Sequence, residues 1–133
     1  MVMQLAKDSV DLGIVTRDPV ASVAFYRDVL GMEDAGKNPI PWGTLHRLVC
    51  GTSAIKIVSL KDDPPVSAPP GGLPGATGYR YWTISVTNLL EVLAACEAAG
   101  RPVVVPPTEI RPGVTIAMVE DPDGNWVELL QTG

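Results

Sequence analysis

The residue pattern with the clearest chemical meaning in this chain is a carboxylate placed between two large apolar side chains. In the segment Trp126-Val127-Glu128-Leu129-Leu130, the alternation of a β-strand puts Glu128 on the same face as Trp126 and Leu130. A carboxylate in apolar surroundings is costly unless it has a partner or a ligand. Glu128 is therefore predicted to be a site residue, and other parts of the chain must supply the groups that act with it.

A hairpin positions this carboxylate. The apolar run Val114–Val119 leads into the turn sequence Asp121-Pro122-Asp123-Gly124-Asn125. Proline fixes φ, glycine supplies a positive φ, and aspartate side chains accept hydrogen bonds from nearby backbone. The pattern predicts two strands joined by a short loop, with Glu128 on the outgoing strand.

The first half of the chain predicts a strand, a helix and three further strands. Asp18 is a helix N-cap with Pro19 in the position where proline is tolerated, and Gly31 ends the helix. Asn38 to Gly43, with two prolines, is expected to be a loop. The predicted elements are a strand at Val10–Thr16, a helix to Leu30, a weak strand at Met32–Ala35, and a hairpin of Thr44–Cys50 with Ala54–Leu60.

The second half repeats this order. Asn88 is the predicted helix cap, with Glu91 three residues later as in a capping box. Pro106 and Pro107 are expected to end the strand that follows the helix. The predicted elements are a strand at Tyr79–Val86, a helix to Gly100, a short strand at Arg101–Val105, and the hairpin Val114–Leu130.

The segment between the halves, Lys61–Gly78, contains five prolines. It is interpreted either as a linker between repeated units or as a lid over a site.

The two halves therefore form an internal duplication. Asp11 and Tyr81 each lie seven residues before a helix cap, while Lys56 and Glu128 lie 38 and 40 residues after one. The predicted fold class is α+β: residues 1–133 form a single domain of two tandem βαβββ modules, at about 8–60 and 79–131, in a curved mixed sheet around a cleft. The faces away from the helices are expected to direct Asp11, Lys56, Tyr81 and Glu128 into that cleft.

Two motifs resemble the vicinal oxygen chelate superfamily, which includes glyoxalase I, bleomycin-resistance proteins and extradiol dioxygenases. The first is Gly13-Ile14-Val15-Thr16-Arg17-Asp18-Pro19 with Phe25-Tyr26-Arg27-Asp28-Val29-Leu30-Gly31, and the second is Asp121–Leu129. The resemblance covers nearly the whole chain. Both motifs are specific for the fold and say little about the reaction.

The resemblance implies a divalent-metal site at Asp11, Lys56, Tyr81 and Glu128, where the usual ligands are His, Glu/Gln/His, His and Glu. Only Glu128 matches, and a lysine cation repels a metal. No cofactor is therefore expected. If a divalent metal is present, Asp11 and Glu128 are its predicted ligands.

Two interpretations of these four residues remain open. One is a structural ion pair in which Lys56 and a carboxylate replace the metal. The other is acid/base chemistry, with a carboxylate as base and Tyr81 as proton donor or oxyanion partner. The expected function is a metal-independent lyase or isomerase acting next to a carbonyl. The alternatives are a ligand-sequestering protein of the antibiotic-resistance type and a metalloenzyme, of the glyoxalase or dioxygenase type, with atypical ligands.

Four further residues are candidates for contact with a ligand. Trp126 shares the face of Glu128 and is suited to stacking on a flat molecule, although core packing is an equally good interpretation. The others are Val58, Arg47 and His46. The lone histidine, His46, is also interpreted as a hydrogen-bonded or surface residue, because its face cannot be fixed from the sequence.

Composition limits the partners. The chain has 46% apolar residues, a net charge of −5 and no cluster of lysines and arginines, which disfavours nucleic acids and anionic membranes. No signal-peptide pattern and no membrane-spanning apolar run are present, so the cytoplasm is expected. Cys50 and Cys96 are expected to be free thiols. A small-molecule ligand and, through the resemblance, a homodimer are the expected partners.

Overall fold

Each half of the chain builds its own four-stranded mixed sheet with helices. The computed structural model describes residues 2–133, and these divide into two units between Pro65 and Val66. The strand order is β1-β4-β3-β2 in the first unit and β5-β8-β7-β6 in the second, so the same plan occurs twice. The predicted α+β class and tandem βαβββ modules are confirmed.

The elements of the first unit follow the prediction closely. They are β1 (Leu12–Val15), α1 (Pro19–Val23) continued by a π-helical segment (Ala24–Val29), β2 (Glu33–Ile40), β3 (Gly43–Cys50) and β4 (Ser53–Leu60). Strand β1 is parallel to β4, and β4, β3 and β2 are antiparallel neighbours. The Asp18 side chain accepts from the backbone N–H of Ala21 at 3.1 Å, as expected of an N-cap.

The first helix differs from a regular α-helix. Its second part has π geometry, and the N–H of Leu30 donates to the carbonyl of Phe25, five residues earlier, at 3.0 Å. Phe25 and Tyr26 are buried with their rings edge to face, 4.9 Å between centroids. The π segment also contains Arg27.

The second unit contains β5 (Tyr81–Ser85), α3 (Leu89–Ala98), β6 (Val103–Arg111), β7 (Val114–Glu120) and β8 (Trp126–Thr132), preceded by the short helix α2 (Gly72–Gly75). Val127 and Leu129 of β8 are buried, whereas Trp126, Glu128 and Leu130 are half-buried, which confirms the predicted alternation. Gln131 lies on the face of Val127 and Leu129 and accepts from the N–H of Leu89 at the start of α3. This contact identifies the helix-covered face of the sheet.

The turn before β8 forms as predicted. The buried Asp121 accepts from the N–H groups of Asp123 and Asn125 through Oδ1, and from the Asn125 side chain through Oδ2, at 2.8–2.9 Å. Gly124 has φ of 86°, a conformation that favours glycine. The turn thus fixes where β8 begins and which face Glu128 occupies.

Two strands are longer than predicted because proline was taken as a strand breaker. Strand β2 runs through Pro39, and β6 runs through Pro106 and Pro107. Both are edge strands, where one side of the strand has no partner and a missing N–H is tolerated. The predicted loop at Asn38–Gly43 is therefore mostly strand.

The predicted capping box at the start of α3 is wrong. The Asn88 side chain donates to the Glu91 carboxylate at 2.7 Å and makes no hydrogen bond to the helix backbone. Gln131, 42 residues away, takes that role for Leu89. The prediction for the cysteines is confirmed: Cys50 and Cys96 are both free thiols.

Candidate functional site

Each sheet has one face turned away from its helix, here called its open face. Cross-strand neighbours share a face, so the register assigns Lys56, Arg47 and Val58 to the open face of the first unit. It assigns Tyr81, Thr83, Trp126 and Glu128 to the open face of the second unit.

Asp11 lies just before β1 and is held by its own surroundings. Its Oδ1 accepts from the Lys7 ammonium at 2.7 Å and from the N–H of Ala54 at 2.8 Å. The Lys7 hydrogen bond is the main reason that the pKa of Asp11 is lowered, followed by the Ala54 hydrogen bond, and the charge of Lys56 adds a smaller effect. Asp11 thus ties the segment before β1 to the start of β4.

Asp11 pairs with Lys7 rather than with Lys56, so Asp11 does not supply the carboxylate for the ion-pair interpretation. Lys56 is half-buried and forms no salt bridge with any carboxylate of residues 2–133. Arg47 is its direct neighbour across the β3–β4 ladder and also has no carboxylate partner in the described chain. The open face of the first unit therefore presents two adjacent cations. The role of Lys7 was missed, and the only signal for it was its spacing of four residues from Asp11.

Glu128 has a partner that the sequence did not indicate. The Thr83 hydroxyl donates to Glu128 Oε1 at 2.7 Å, and the two residues face each other in the parallel β5–β8 register. Tyr81 lies on the same face but opposite Trp126, with 47% of its surface exposed. The equal spacing from the helix caps had singled out Tyr81. The register that brings Thr83 to Glu128 depends on strand pairing, which spacing alone does not determine.

A loop of the same unit covers one face of Trp126. Gly72 packs directly on the indole ring, where a side chain at position 72 would collide with it. The indole N–H donates to Glu120 at 3.2 Å. Arg80 holds the loop in place by donating to the carbonyls of Pro69, Pro70 and Gly72 at 2.7–3.3 Å. The segment 69–75 is thus seated over a predicted ligand-binding residue.

The predicted ligand-binding residues do not all share a face. Arg47 and Val58 lie with Lys56, but His46 pairs with Ile57 on the opposite, helix-covered face. There His46 Nε2 lies 2.9 Å from Asp34 Oδ1. The interpretation of His46 as a hydrogen-bonded residue is confirmed, and its face, which the sequence did not fix, is the helix-covered one.

The residues at the family's metal-ligand positions do not fit a divalent ion. The Lys56 ammonium has no lone pair to donate, and Asp11 already accepts hydrogen bonds from Lys7 and Ala54. Within residues 2–133, no three His, Cys, Asp or Glu side chains come together as a metal site. Glu128 is the one position whose side chain matches the usual ligand type.

Known proteins share this fold. A glyoxalase family protein from Enterococcus faecalis is 26% identical, with a TM-score of 0.68 over 91% of this chain and 93% of that one. Glyoxalase I of Leishmania major is 23% identical, with a TM-score of 0.67 over 95% of this chain and 87% of that one. TnmS3, an antibiotic-binding protein from a Streptomyces species, is 20% identical, with a TM-score of 0.71 over 98% of this chain and all of that one. Comparison with curated proteins gives no match.

None of the helices in residues 2–133 has the length and apolar character required to cross a bilayer. The family profile described as Glyoxalase/Bleomycin resistance protein/Dioxygenase superfamily matches residues 9–129. With that match and the repeated βαβββ units, the chain belongs to the glyoxalase, bleomycin resistance protein and dioxygenase superfamily.

Proposed function

We propose that this protein is a lyase or isomerase that moves a proton next to a carbonyl group of a small molecule, without a divalent metal. The observation that carries the proposal is the state of Glu128. Its carboxylate lies on the same face as the apolar residues Met118, Trp126 and Leu130, and its hydrogen-bond partner is the neutral Thr83. No cation of residues 2–133 forms a salt bridge with it. Partial burial of a carboxylate without a counter-ion lowers the stability of the fold, and this cost favours a functional role for Glu128.

In this proposal Glu128 is the base. Thr83 holds Oε1, which leaves Oε2 to take a proton from the carbon next to the substrate carbonyl. The electron pair of the broken C–H bond moves into the carbonyl to give an enolate. Return of the proton to the opposite face of the α-carbon, or to the γ-carbon of a conjugated enolate, completes an isomerisation. Departure of a leaving group from the β-carbon with its electron pair, while the proton stays on Glu128, completes an elimination. The exposed Tyr81 phenol on the same face is suited to donate a hydrogen bond to the enolate oxygen.

Lys56 and Arg47 are adjacent on the first sheet and without carboxylate partners in the described chain. The roles of Lys56 and Asp11 in turnover stay predictions.

A ligand-sequestering protein is the second candidate, and one observation favours it. The segment 69–75 covers the ring of Trp126, an arrangement suited to enclosing a flat molecule if the segment moves. The antibiotic-binding relative has the same fold. Under this candidate the chain binds an aromatic ligand and releases it unchanged.

Under either candidate function, we propose that the protein acts in the cytoplasm as a homodimer. The dimer is supported by the family, whose members often complete their clefts across a dimer. The compartment is supported by the free thiols of Cys50 and Cys96, which suit a reducing environment. Light scattering of the purified protein measures the mass directly, against 14.1 kDa for one chain.

Glu128→Gln tests the proposal. A screen of carboxylates, enones and aromatic antibiotics by thermal shift identifies a ligand, and proton exchange at its α-carbon is followed by NMR. We expect Glu128→Gln to lower the exchange rate by about 10²–10⁴-fold while the fold is kept. Glu97→Gln, on the exposed surface of α3, is the matched control and should leave the rate unchanged.

Two outcomes decide between the candidates. A ligand that binds parent and Glu128→Gln alike and shows no exchange in either favours the sequestering protein. Lys56→Met should also lower turnover while keeping the fold, and full turnover in that variant would remove Lys56 from the acid/base chemistry.

A further inference from the structure

A pocket of about 300 Å³ lies on the helix-covered face of the first sheet, away from the open face described above. One wall is α1, which contributes Pro19, Val20 and Val23, and the opposite wall includes Ile57 of β4. These four side chains make the walls apolar. The volume is at the lower end of the range for small-molecule sites.

The other residues that line this pocket are polar or cationic. They are Arg27 of the π-helical segment, Lys37 of β2, Thr44 and His46 of β3, and Ser59 of β4. No carboxylate is among the lining residues. A pocket with apolar walls and a polar end of this kind has the shape of a site for an amphiphilic anion.

At the polar end Arg27 pairs with both Asp28 and Asp34, and Lys37 has no carboxylate partner in the described chain. Asp34 accepts from the N–H of Gly36 at 2.9 Å, lies 2.9 Å from His46 Nε2, and accepts from Arg27 at 3.3 Å. Arg27 also makes a bidentate pair with Asp28. Lys37 makes no hydrogen bond or ion pair within residues 2–133.

His46 is held in one orientation. Its side chain is 17% exposed, and Nε2 is directed at Asp34. The pKa of Asp34 is lowered to about 2, first by the Gly36 hydrogen bond and then by His46, so this carboxylate is ionised at neutral pH. An ionised partner favours the proton on Nε2, and the remaining nitrogen Nδ1 has no hydrogen bond within the described chain. The ring thus borders the pocket in a fixed position.

We propose that this pocket is a second binding site, specific for a short-chain carboxylate. The carboxylate end pairs with Lys37 beside Arg27 and His46, and the hydroxyl groups of Thr44 and Ser59 supply further hydrogen bonds. The alkyl chain packs between α1 and Ile57. The site is separate from the proposed function, because its residues lie on the other face of the first sheet from Lys56 and Arg47.

Binding of hexanoate, measured by calorimetry or protein NMR, tests this site. Acetate carries the same charge without the chain, and hexanamide carries the chain without the charge. We expect hexanoate to bind at least ten times more tightly than either. Equal binding of hexanoate and hexanamide, or of hexanoate and acetate, would overturn the proposal.

Two variants with matched controls locate the site. Lys37→Met should weaken hexanoate binding at least tenfold, whereas Lys61→Met, at an exposed lysine outside the pocket, should not. Val20→Glu places a carboxylate at the rim, on a side chain that is 80% exposed, and should also weaken binding. Its control is Leu90→Glu, the corresponding position two residues after the cap of α3, which is 72% exposed.

The outcomes separate this site from the open face. Loss of binding in Lys37→Met and Val20→Glu, with NMR shifts at His46 and Ile57, supports the proposal. Loss of hexanoate binding in Lys56→Met, with no effect of Lys37→Met, would place the carboxylate on the open face and overturn the proposal. This holds whether or not Lys56→Met also changes turnover.

Discussion

The conformation of a polar side chain in this protein depends on its hydrogen-bond partners. The sequence indicates only the partners that lie nearby along the chain. Asp121 accepts its hydrogen bonds from residues within four positions, so its turn was predictable. Glu128 and His46 have partners 45 and 12 residues away, Thr83 and Asp34, which depend on strand register. Local chemistry was therefore predicted well, and the candidate sites only in part.

Asp34 gives a pH-dependent prediction at this scale. Its pKa in the folded protein is lowered to about 2 from 3.8, so the carboxylate contributes stability above the unfolded value and loses that contribution as the pH falls. Asp34→Asn should lower the melting temperature at neutral pH, and the difference from the parent should close between about pH 4 and about pH 2. Thermal denaturation across this range is the measurement.

Asp62→Asn is the control for that series, because Asp62 is exposed and forms no hydrogen bond or ion pair within residues 2–133. A difference between Asp34→Asn and the parent that stays constant down to about pH 2 would show that Asp34 stabilises through something other than its charge.

Among the elements, the strands without proline were predicted in the right places, whereas the two edge strands that contain proline were predicted too short. The hairpin of β3 and β4 lies within one residue of its predicted bounds, because the Gly51-Thr52-Ser53 turn signal separates the two runs. In β2 and β6 the prolines suggested breaks, yet an edge strand tolerates them. Asn88 is the N-cap residue of α3 as predicted, but the side chain that accepts from the first helical N–H is Gln131, from another element.

The loop over Trp126 gives a prediction for an element. Gly72→Ala brings a methyl group into the indole ring, and we expect it to destabilise the protein by about 1–3 kcal/mol and to release the segment 69–75. Hydrogen exchange of peptides from this segment should become faster. Urea denaturation gives the change in stability.

Gly78→Ala is the control that distinguishes the collision of the added methyl group with Trp126 from the effect of backbone strain. Gly78 also has a positive φ, of 97°, but a methyl group there meets nothing within 4 Å. Both variants therefore carry a strained backbone, and only Gly72→Ala disturbs Trp126. Equal exchange rates in the segment for the two variants would contradict the packing of Gly72 on Trp126.

At the scale of the whole molecule, the repeated plan was the most predictable feature. Two βαβββ units with the same strand order follow from two sets of strand and helix signals at matching spacing. The chemistry was less predictable, because corresponding positions, 38 and 40 residues after the helix caps, carry Lys56 in one unit and Glu128 in the other. A shared fold therefore does not give these two positions a shared role.

Metal removal from the intact protein tests whether the residues at the family's ligand positions hold a divalent ion. Because the groups at the family's ligand positions include a lysine ammonium and an occupied carboxylate, we expect dialysis against EDTA to leave both the melting temperature and any turnover unchanged. Elemental analysis of the purified protein is the companion measurement. A melting temperature that falls with EDTA and recovers with zinc, iron or nickel would contradict this expectation.

The prolines in the edge strands have a consequence for how the chain behaves at high concentration. An unpaired strand edge offers a row of backbone groups on which another chain can add, and this is a common start of aggregation. In β6 two successive residues, Pro106 and Pro107, lack an N–H, and the register shifts between Val105 and Thr108. In β2 a register shift between Asp34 and Lys37 is followed by Pro39. Each sheet thus has one edge, β2 or β6, that is a poor template for an incoming strand, which disfavours edge-to-edge growth at that edge.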